Sequence, residues 1–89
     1  MATWSLRYTK RAVKQLSKLD PAQSRLIRTW MKTNIDGCED PRAHGHSLRY
    51  ELRQLWRYRV GKYRVLCELD DQELRVLAVE VGHRRDVYR

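Results

Sequence analysis

The segment from Leu55 to Leu69 alternates apolar and polar residues around a glycine, and this pattern constrains the fold more than any other. Successive residues of a β-strand point to opposite faces of a sheet, so the alternation predicts strands with one buried face. Val60 and Gly61 predict a tight two-residue turn between two antiparallel strands. A slip by one residue would expose half of the apolar side chains, which favours the register that buries them.

This register predicts one basic face and one apolar face for the hairpin. Arg59 is expected opposite Lys62, and Arg57 opposite Arg64. The apolar face carries Trp56, Tyr58, Val60, Tyr63, Val65, Cys67 and Leu69. Like charges directly across a strand pair are destabilising unless an anion binds between them, and guanidinium groups suit bidentate contacts to phosphate. We therefore predict a phosphate site on the basic face; the alternative is that these long side chains splay into solvent.

The sequence before the hairpin predicts one strand and two helices. Alternation from Trp4 to Tyr8 predicts a half-buried strand. Thr9 is expected to cap the first helix, and Asp20 the second, which has Pro21 at its first position and fades near Asn34. Helical spacing predicts inward residues Val13, Leu16 and Leu19 in the first helix and Leu26, Ile27, Trp30 and Met31 in the second.

The remaining segments complete an α+β fold. Residues 36–47 contain three Gly and Pro residues and predict a surface loop. Three strands follow, at Leu52–Arg59, Tyr63–Leu69 and Leu74–Val81, and Leu77, Val79 and Val81 are expected on one face of the last. The order β-α-α-β-β-β predicts two helices packed on one face of a small, mostly antiparallel sheet. With 89 residues the chain forms a single domain, 1–89.

Charge narrows the class of partner. The chain has 19 Lys and Arg against 11 Asp and Glu, a net charge of +8 that attracts polyanions. Nucleic acid is the first expectation, an acidic protein the second and an anionic membrane the third, while a solvated basic surface without a specific ligand stays open. No apolar run reaches membrane-spanning length and no signal peptide is apparent, so we expect a cytoplasmic protein.

Neither a metal nor a cofactor is expected. Cys38 and Cys67 are too few for a disulfide framework. Cys38, His44 and His46 share a loop, but their spacing matches no standard zinc site.

The C-terminal tail can extend the basic face. Gly82 permits a sharp exit from the last strand, and His83, Arg84, Arg85 and Tyr88 follow it. A tail that folds across the basic face would bring Arg84 and Tyr88 to the same phosphate. A disordered basic end is the alternative.

Residues 55–65 (LWRYRVGKYRV) and 81–88 (VGHRRDVY) resemble the RelE branch of the RelE/ParE toxin superfamily. The resemblance extends over nearly the whole chain, including the preceding strand and helices. It implies the toxin of a type II toxin–antitoxin pair, a ribosome-dependent endoribonuclease that cleaves mRNA in the ribosomal A site and inhibits translation. The implied reaction is attack by a ribose 2′-hydroxyl on the adjacent phosphodiester, which leaves a 2′,3′-cyclic phosphate.

The resemblance places catalytic roles on Arg57, Arg59, Arg64, Arg84 and Tyr88. The well-studied pattern has lysines at the first two positions, so a proton-transfer role there is in doubt. Nearby cations favour the phenolate of a tyrosine, which makes Tyr88 the candidate base. Arg84 is the acid that the family suggests; histidine exchanges protons more readily near neutral pH, which makes His83 the alternative acid or base.

The implied partners are mRNA, the ribosome and a cognate acidic antitoxin, with no membrane and with DNA only indirectly, through the antitoxin. Lys62 and Arg85 are expected to add RNA contacts beside the catalytic residues. A second set is expected to dock on ribosomal RNA: Lys10, Arg11, Lys14, Lys18, Arg25, Arg28 and Lys32. For each of these a merely solubilising role is equally open.

Two other functions fit a chain of this kind. A ParE-like inhibitor of DNA gyrase shares the fold but has no use for the predicted nuclease residues. A non-catalytic RNA-binding regulator would keep the basic face and lack the chemistry.

Overall fold

The computed structural model describes residues 2–50 and 53–83, without the side chain of Tyr50. Its elements are β1 (Ser5–Tyr8), α1 (Lys10–Ser17), α2 (Pro21–Asn34), a short 3₁₀ helix (Pro41–Ala43), β2 (His46–Tyr50), β3 (Arg53–Val60), β4 (Tyr63–Asp70) and β5 (Arg75–His83). The strands form one sheet in the order β1-β5-β4-β3-β2, parallel between β1 and β5 and antiparallel elsewhere. Both helices pack on one face of this sheet, which confirms the predicted α+β fold class.

Helix α1 begins at the predicted cap. The Thr9 hydroxyl accepts a hydrogen bond from the Ala12 amide at 3.1 Å, which satisfies one of the free N–H groups of the first turn. Ala12 and Leu16, four residues apart, are buried against the sheet. The inward prediction for Val13 is wrong, because its side chain is 45% exposed at the margin of this narrow contact stripe.

Helix α2 also begins at its predicted cap and buries residues four apart, over a longer span. The Asp20 carboxylate accepts from the Ala22 amide at 3.1 Å, as the sequence predicts. Ile27 and Met31 are fully buried, whereas Leu26 is 48% exposed and its inward prediction is wrong. The helix rests on the sheet through residues four apart, and a side chain one position away projects beside the contact rather than into it.

Strand β2 is missing from the predicted order β-α-α-β-β-β, and it lies partly inside the segment predicted as a loop. It begins at His46 and pairs along the edge of the sheet with β3, where His46 is directly opposite Arg57 and Leu48 opposite Leu55. Five residues after a loop with Pro41 carry little local strand preference. The strand forms because the edge of β3 supplies its hydrogen bonds, which is a tertiary effect.

The hairpin of β3 and β4 turns one residue later than predicted. Gly61 and Lys62 form the turn, and Val60 instead pairs with Tyr63. Arg59 is therefore opposite Arg64 instead of Lys62, and Arg57 is opposite Leu66 instead of Arg64, so the two predicted pairings are wrong. The predicted faces are nevertheless correct, because the register differs by two residues in total and the alternation is preserved.

Strand β5 contains a bulge. Leu66 is opposite Glu80 and Cys67 is opposite Ala78, so β5 carries one residue more than β4 at this point, Val79. A bulge of this kind changes the face to which the following side chains point.

The bulge overturns the prediction that Leu77, Val79 and Val81 share a face. Val81 is 3% exposed and belongs to the core beneath the helices. Val79 packs against Leu55 and Leu66 on the other face of the sheet. We call this other face, opposite the helices, the open face.

The chain between α2 and β2 is held tightly against β3. The buried Tyr58 hydroxyl donates to the Pro41 carbonyl at 2.7 Å, and the Trp56 indole N–H donates to the His44 carbonyl at 2.6 Å. Gly45 passes so close to β3 that a Cβ there would lie 2.2 Å from the Arg57 carbonyl oxygen. Only glycine fits this crossing.

We predict that Gly45→Ala destabilises the protein much more than Gly61→Ala. Both glycines have positive φ, of 77° and 60°, so alanine costs about 1–2 kcal/mol at either position. A Cβ at position 61 would meet only a Leu26 methyl group at 3.7 Å, whereas position 45 adds the backbone clash. We expect a loss of about 3 kcal/mol or more for Gly45→Ala in urea unfolding. Equal losses for the two variants would contradict the close crossing.

Candidate nucleic-acid interface on the open face

The open face is divided into three zones along the strands. In its middle, Leu55 and Leu66 are buried and form a small apolar cluster with the partly buried Leu48 and Val79. At the end away from the hairpin turn, oppositely charged side chains are paired. At the end near the turn the face is basic. Within the ranges that the structure describes, no helix covers this face.

The basic end contains the arginine cluster, which we define as Arg57, Arg59 and Arg64. Arg59 and Arg64 are directly opposite each other on β3 and β4, and Arg57 lies two residues earlier on the same face. Side chains that are directly opposite have Cβ atoms about 5 Å apart. Arg64 is 6% exposed, Arg57 is half-buried and Arg59 is exposed. Lys62 lies exposed in the adjoining turn, so the structure brings together the four cations predicted on this hairpin.

Three acidic side chains of the open face form ion pairs with Arg53, Arg75 and Arg11. These ion pairs are Glu68 with Arg53 at 3.2 Å, Asp70 with Arg75 at 3.5 Å and Glu80 with Arg11 at 2.7 Å. Arg57, Arg59, Arg64 and Lys62 give the turn end of the face a concentration of basic side chains. Such a concentration attracts a phosphate group.

Strand β3, which carries Arg57 and Arg59, is held by contacts on the face opposite these side chains. Burial raises the pKa of Tyr58, so its hydroxyl stays protonated and keeps donating to Pro41. Arg42 in the same loop donates two hydrogen bonds to Asp71, at 2.9 and 3.0 Å, and these lower the pKa of that carboxyl group. These contacts hold the loop and β3 in one arrangement.

Two histidines occupy opposite faces of the sheet. His83 is opposite Tyr63, and their rings pack edge to face at 5.8 Å on the helix side. The structure therefore does not bring His83 to the arginine cluster. His46 lies exposed on the open face directly opposite Arg57.

Sequence reasoning missed His46 as a site residue because it assigned this segment to a loop. The signal that could have found it is the alternation of His46, Leu48 and Tyr50, which is typical of a short strand.

The predicted tail residues Arg84, Arg85 and Tyr88 lie outside the described residues. Gly82, near the end of β5, is directly opposite Arg64, so the strand that precedes the tail ends beside the cluster. The contribution of these three side chains stays a prediction.

The basic residues of the two helices form a separate surface on the other side of the sheet. All seven of the predicted ribosome-docking residues are exposed: Lys10, Arg11, Lys14, Lys18, Arg25, Arg28 and Lys32. Arg11 also reaches Glu80. The molecule thus carries basic surface on both sides of its sheet.

In the part of the chain that the structure describes, no three His, Cys, Asp or Glu side chains gather in a way that could hold a metal ion. No helix in these ranges is both long enough and apolar enough to span a membrane.

Comparison with known proteins gives a consistent result. A family model described as the ParE toxin of type II toxin–antitoxin system parDE matches residues 6–88. Toxin RelG of Mycobacterium tuberculosis is 33% identical over 87 residues, which cover 97% of each chain. The solved toxin–antitoxin complex RelBE2 from Mycobacterium tuberculosis has a TM-score of 0.82 at 30% identity, over 97% of both chains. An arginine-to-alanine double mutant of E. coli toxin RelE in the free state has a TM-score of 0.73 at 20% identity, over 97% of this chain and 88% of that one, a likeness of fold alone.

We predict that phosphate stabilises the protein through the arginine cluster. Millimolar phosphate, compared with chloride at equal ionic strength, should raise Tm in the wild type, with each 1 kcal/mol of binding appearing as about 4–8 °C. Arg59→Gln should remove this response and slightly raise the stability without phosphate, because it relieves like-charge repulsion across the strand pair. Lys18→Gln, an exposed change at the end of α1, is the matched control. If both variants kept the full response, the anion would bind elsewhere.

Proposed function

The chain belongs to the RelE/ParE family of toxins from type II toxin–antitoxin systems, and we propose that it is a metal-independent endoribonuclease that cleaves mRNA in the ribosomal A site. The observation that carries the proposal is the arginine cluster, with Arg59 directly opposite Arg64 on the open face. Guanidinium groups this close together suit the bidentate binding of a backbone phosphate. Inhibition of translation is the consequence.

The cluster is suited to the electrostatic part of the reaction. The 2′-oxygen attacks phosphorus, an O2′–P bond forms and the P–O5′ bond breaks, while negative charge builds up on the phosphate oxygens. Guanidinium groups fixed around the phosphate stabilise that charge more in the transition state than in the ground state. Arginine holds its protons too tightly to serve as a base at neutral pH, so the cluster clamps and does not deprotonate.

The proton transfers rest on the family resemblance. It assigns Tyr88 to the removal of the 2′-hydroxyl proton and Arg84 to the leaving group. A site with so few efficient acids and bases gains most from a substrate that is already held in an attack-ready conformation. The ribosome supplies that conformation in this proposal, and the basic helix surface binds its RNA.

An acidic antitoxin is the proposed protein partner. The similar RelBE2 structure is itself a toxin–antitoxin complex. Next to the arginine cluster, the open face has a shallow groove of about 330 Å³ lined by Leu55, Leu66, Leu77 and Val79, among other residues. An antitoxin segment with apolar and acidic side chains would cover both surfaces at once and keep RNA away.

We predict that Arg59→Ala and Arg64→Ala each lower mRNA cleavage about 100- to 1000-fold, the usual effect of losing one stabilising donor. The measurement is mapping of mRNA 5′ ends on programmed ribosomes. Arg49→Ala is the matched control, because Arg49 is exposed on β2 opposite Gln54, outside the cluster. Tyr88→Phe should lose activity if the resemblance assigns the base correctly.

A 2′-deoxy nucleotide at the mapped cut should abolish cleavage in the wild type. Wild-type protein that left mRNA intact while causing gyrase-dependent DNA damage would replace the proposal with the ParE-like function that the matched family model names. Ribosome binding without any cut would instead indicate the non-catalytic regulator.

We predict that the triple variant Lys14→Gln, Lys18→Gln and Lys32→Gln binds ribosomes with a weaker salt dependence. Each lost contact to an RNA phosphate should lower the slope of log K against log salt by about 0.7–0.9. Co-sedimentation of ribosomes at several salt concentrations measures this slope.

A control variant with the same change of net charge is Arg49→Gln, Arg53→Gln and Arg75→Gln, which alters strand residues only. An equal change of slope in both variants would mean that net charge, and not the helix surface, governs docking.

A further inference from the structure

One requirement of the proposed reaction is not met by the arginine cluster. When the P–O5′ bond breaks, the leaving 5′-oxygen has to gain a proton, and an acid positioned beside it accelerates this step. The guanidinium of Arg84 is a poor donor because arginine does not readily give up a proton. Histidine is the side chain best suited to proton transfer near neutral pH.

Of the three histidines in the chain, one is on the same face as the arginine cluster. His83 packs against Tyr63 on the helix side, and the His44 ring packs edge to face on Trp30 of α2 at 5.7 Å. His46 is on the open face, directly opposite Arg57. The Cβ atoms of directly opposite residues are about 5 Å apart, so an imidazole at position 46 and a phosphate held by Arg57 are within reach of each other.

The position of His46 is fixed by the contacts of the residues before it. The His44 carbonyl is held by the Trp56 indole at 2.6 Å, and Gly45 crosses against the Arg57 carbonyl more closely than any other residue could. Backbone pairing with β3 then begins at His46 itself. A proton-transfer group needs such support, because its distance from the reacting atom must be maintained.

We propose that His46 is the general acid of the cleavage reaction. The protonated imidazole gives its proton to the 5′-oxygen as the P–O5′ bond breaks, while the 2′-hydroxyl proton passes to the base, Tyr88 in the function proposed above. The products are a 2′,3′-cyclic phosphate and a 5′-hydroxyl, and His46 regains its proton from water. This inference rests on the proposed ribonuclease function and names a catalytic residue for it.

The charged groups of the described chain that face His46 come from β3. Arg57 is directly opposite, and Arg59 is its diagonal neighbour on the same face. Strand β2 is at the edge of the sheet, and no further strand of the described residues pairs beyond it. The phosphates of bound RNA lie against these arginines in the proposal and bring negative charge beside His46.

The decisive experiment changes the leaving group. Toxin and ribosomes programmed with mRNA are first used to map the cut, and the 5′-oxygen at that position is then replaced by sulfur. A thiolate leaves without a proton. His46→Gln should slow single-turnover cleavage of the ordinary mRNA by about 100-fold or more and should cleave the sulfur substrate at close to the wild-type rate.

The matched control is His44→Gln, which makes the same chemical change two residues away on the other side of the sheet. It should leave both rates unchanged. The pH profile gives a second readout: the wild-type rate should fall on the alkaline side as the imidazole loses its proton, and His46→Gln should lack that fall. Thermal unfolding of both variants checks that they are folded.

The outcomes separate the two proposals. If the wild type cleaves mRNA and His46→Gln is equally active, or is slowed to the same extent on oxygen and sulfur substrates, His46 is not the acid and the ribonuclease function stands. If the wild type cuts neither substrate on ribosomes, the ribonuclease function itself fails.

Discussion

The pairing of β3 with β4 determines both the core and the candidate site. Because side chains alternate along a strand, the register that buries Tyr58, Val60 and Val65 under the helices necessarily directs Arg57, Arg59 and Arg64 to the other face. A change that moved the cluster would also expose the core. The hydrophobic effect thus stabilises an arrangement of like charges that would not form by itself.

Contacts on the other face of β3 hold the strand that carries Arg57 and Arg59. The loop before β2 is bonded to the back of β3 through the Tyr58 hydroxyl and the Trp56 indole, and it carries Gly45 into close contact with the same strand. A cross-strand side-chain pair contributes about 0.2–1 kcal/mol, whereas each fully buried large apolar side chain contributes about 1.5–3 kcal/mol. The core therefore decides the register, and an anion on the open face can only add to its stability.

Much of the fold follows from local patterns in the sequence, and each prediction that failed has a physical cause. The helix caps at Thr9 and Asp20 and the two faces of the hairpin depend on neighbouring residues, and they were predictable. The turn was misplaced by one residue because Gly61 can occupy either position of a two-residue loop. Strand β2 and the bulge at Val79 depend on pairing with a neighbouring strand, and the alternation of His46, Leu48 and Tyr50 is only a weak local sign of β2. For the candidate site, the arginines were predictable from alternation, whereas the place of His46 opposite Arg57 follows from the pairing of β2 with β3.

The fold by itself does not separate the functions of this family, because RelE-like and ParE-like toxins share it. The distinction has to come from side chains on the open face. In the function proposed above, the guanidinium groups that lie opposite each other on the sheet bind the phosphodiesters of RNA. The edge strand adds a second criterion. The side chain of His46 is exposed and adds nothing to the core, and β2 is the edge strand of the sheet in the described residues. In the function proposed above, its place opposite Arg57 serves proton transfer to an RNA phosphate that is attacked by its own 2′-hydroxyl.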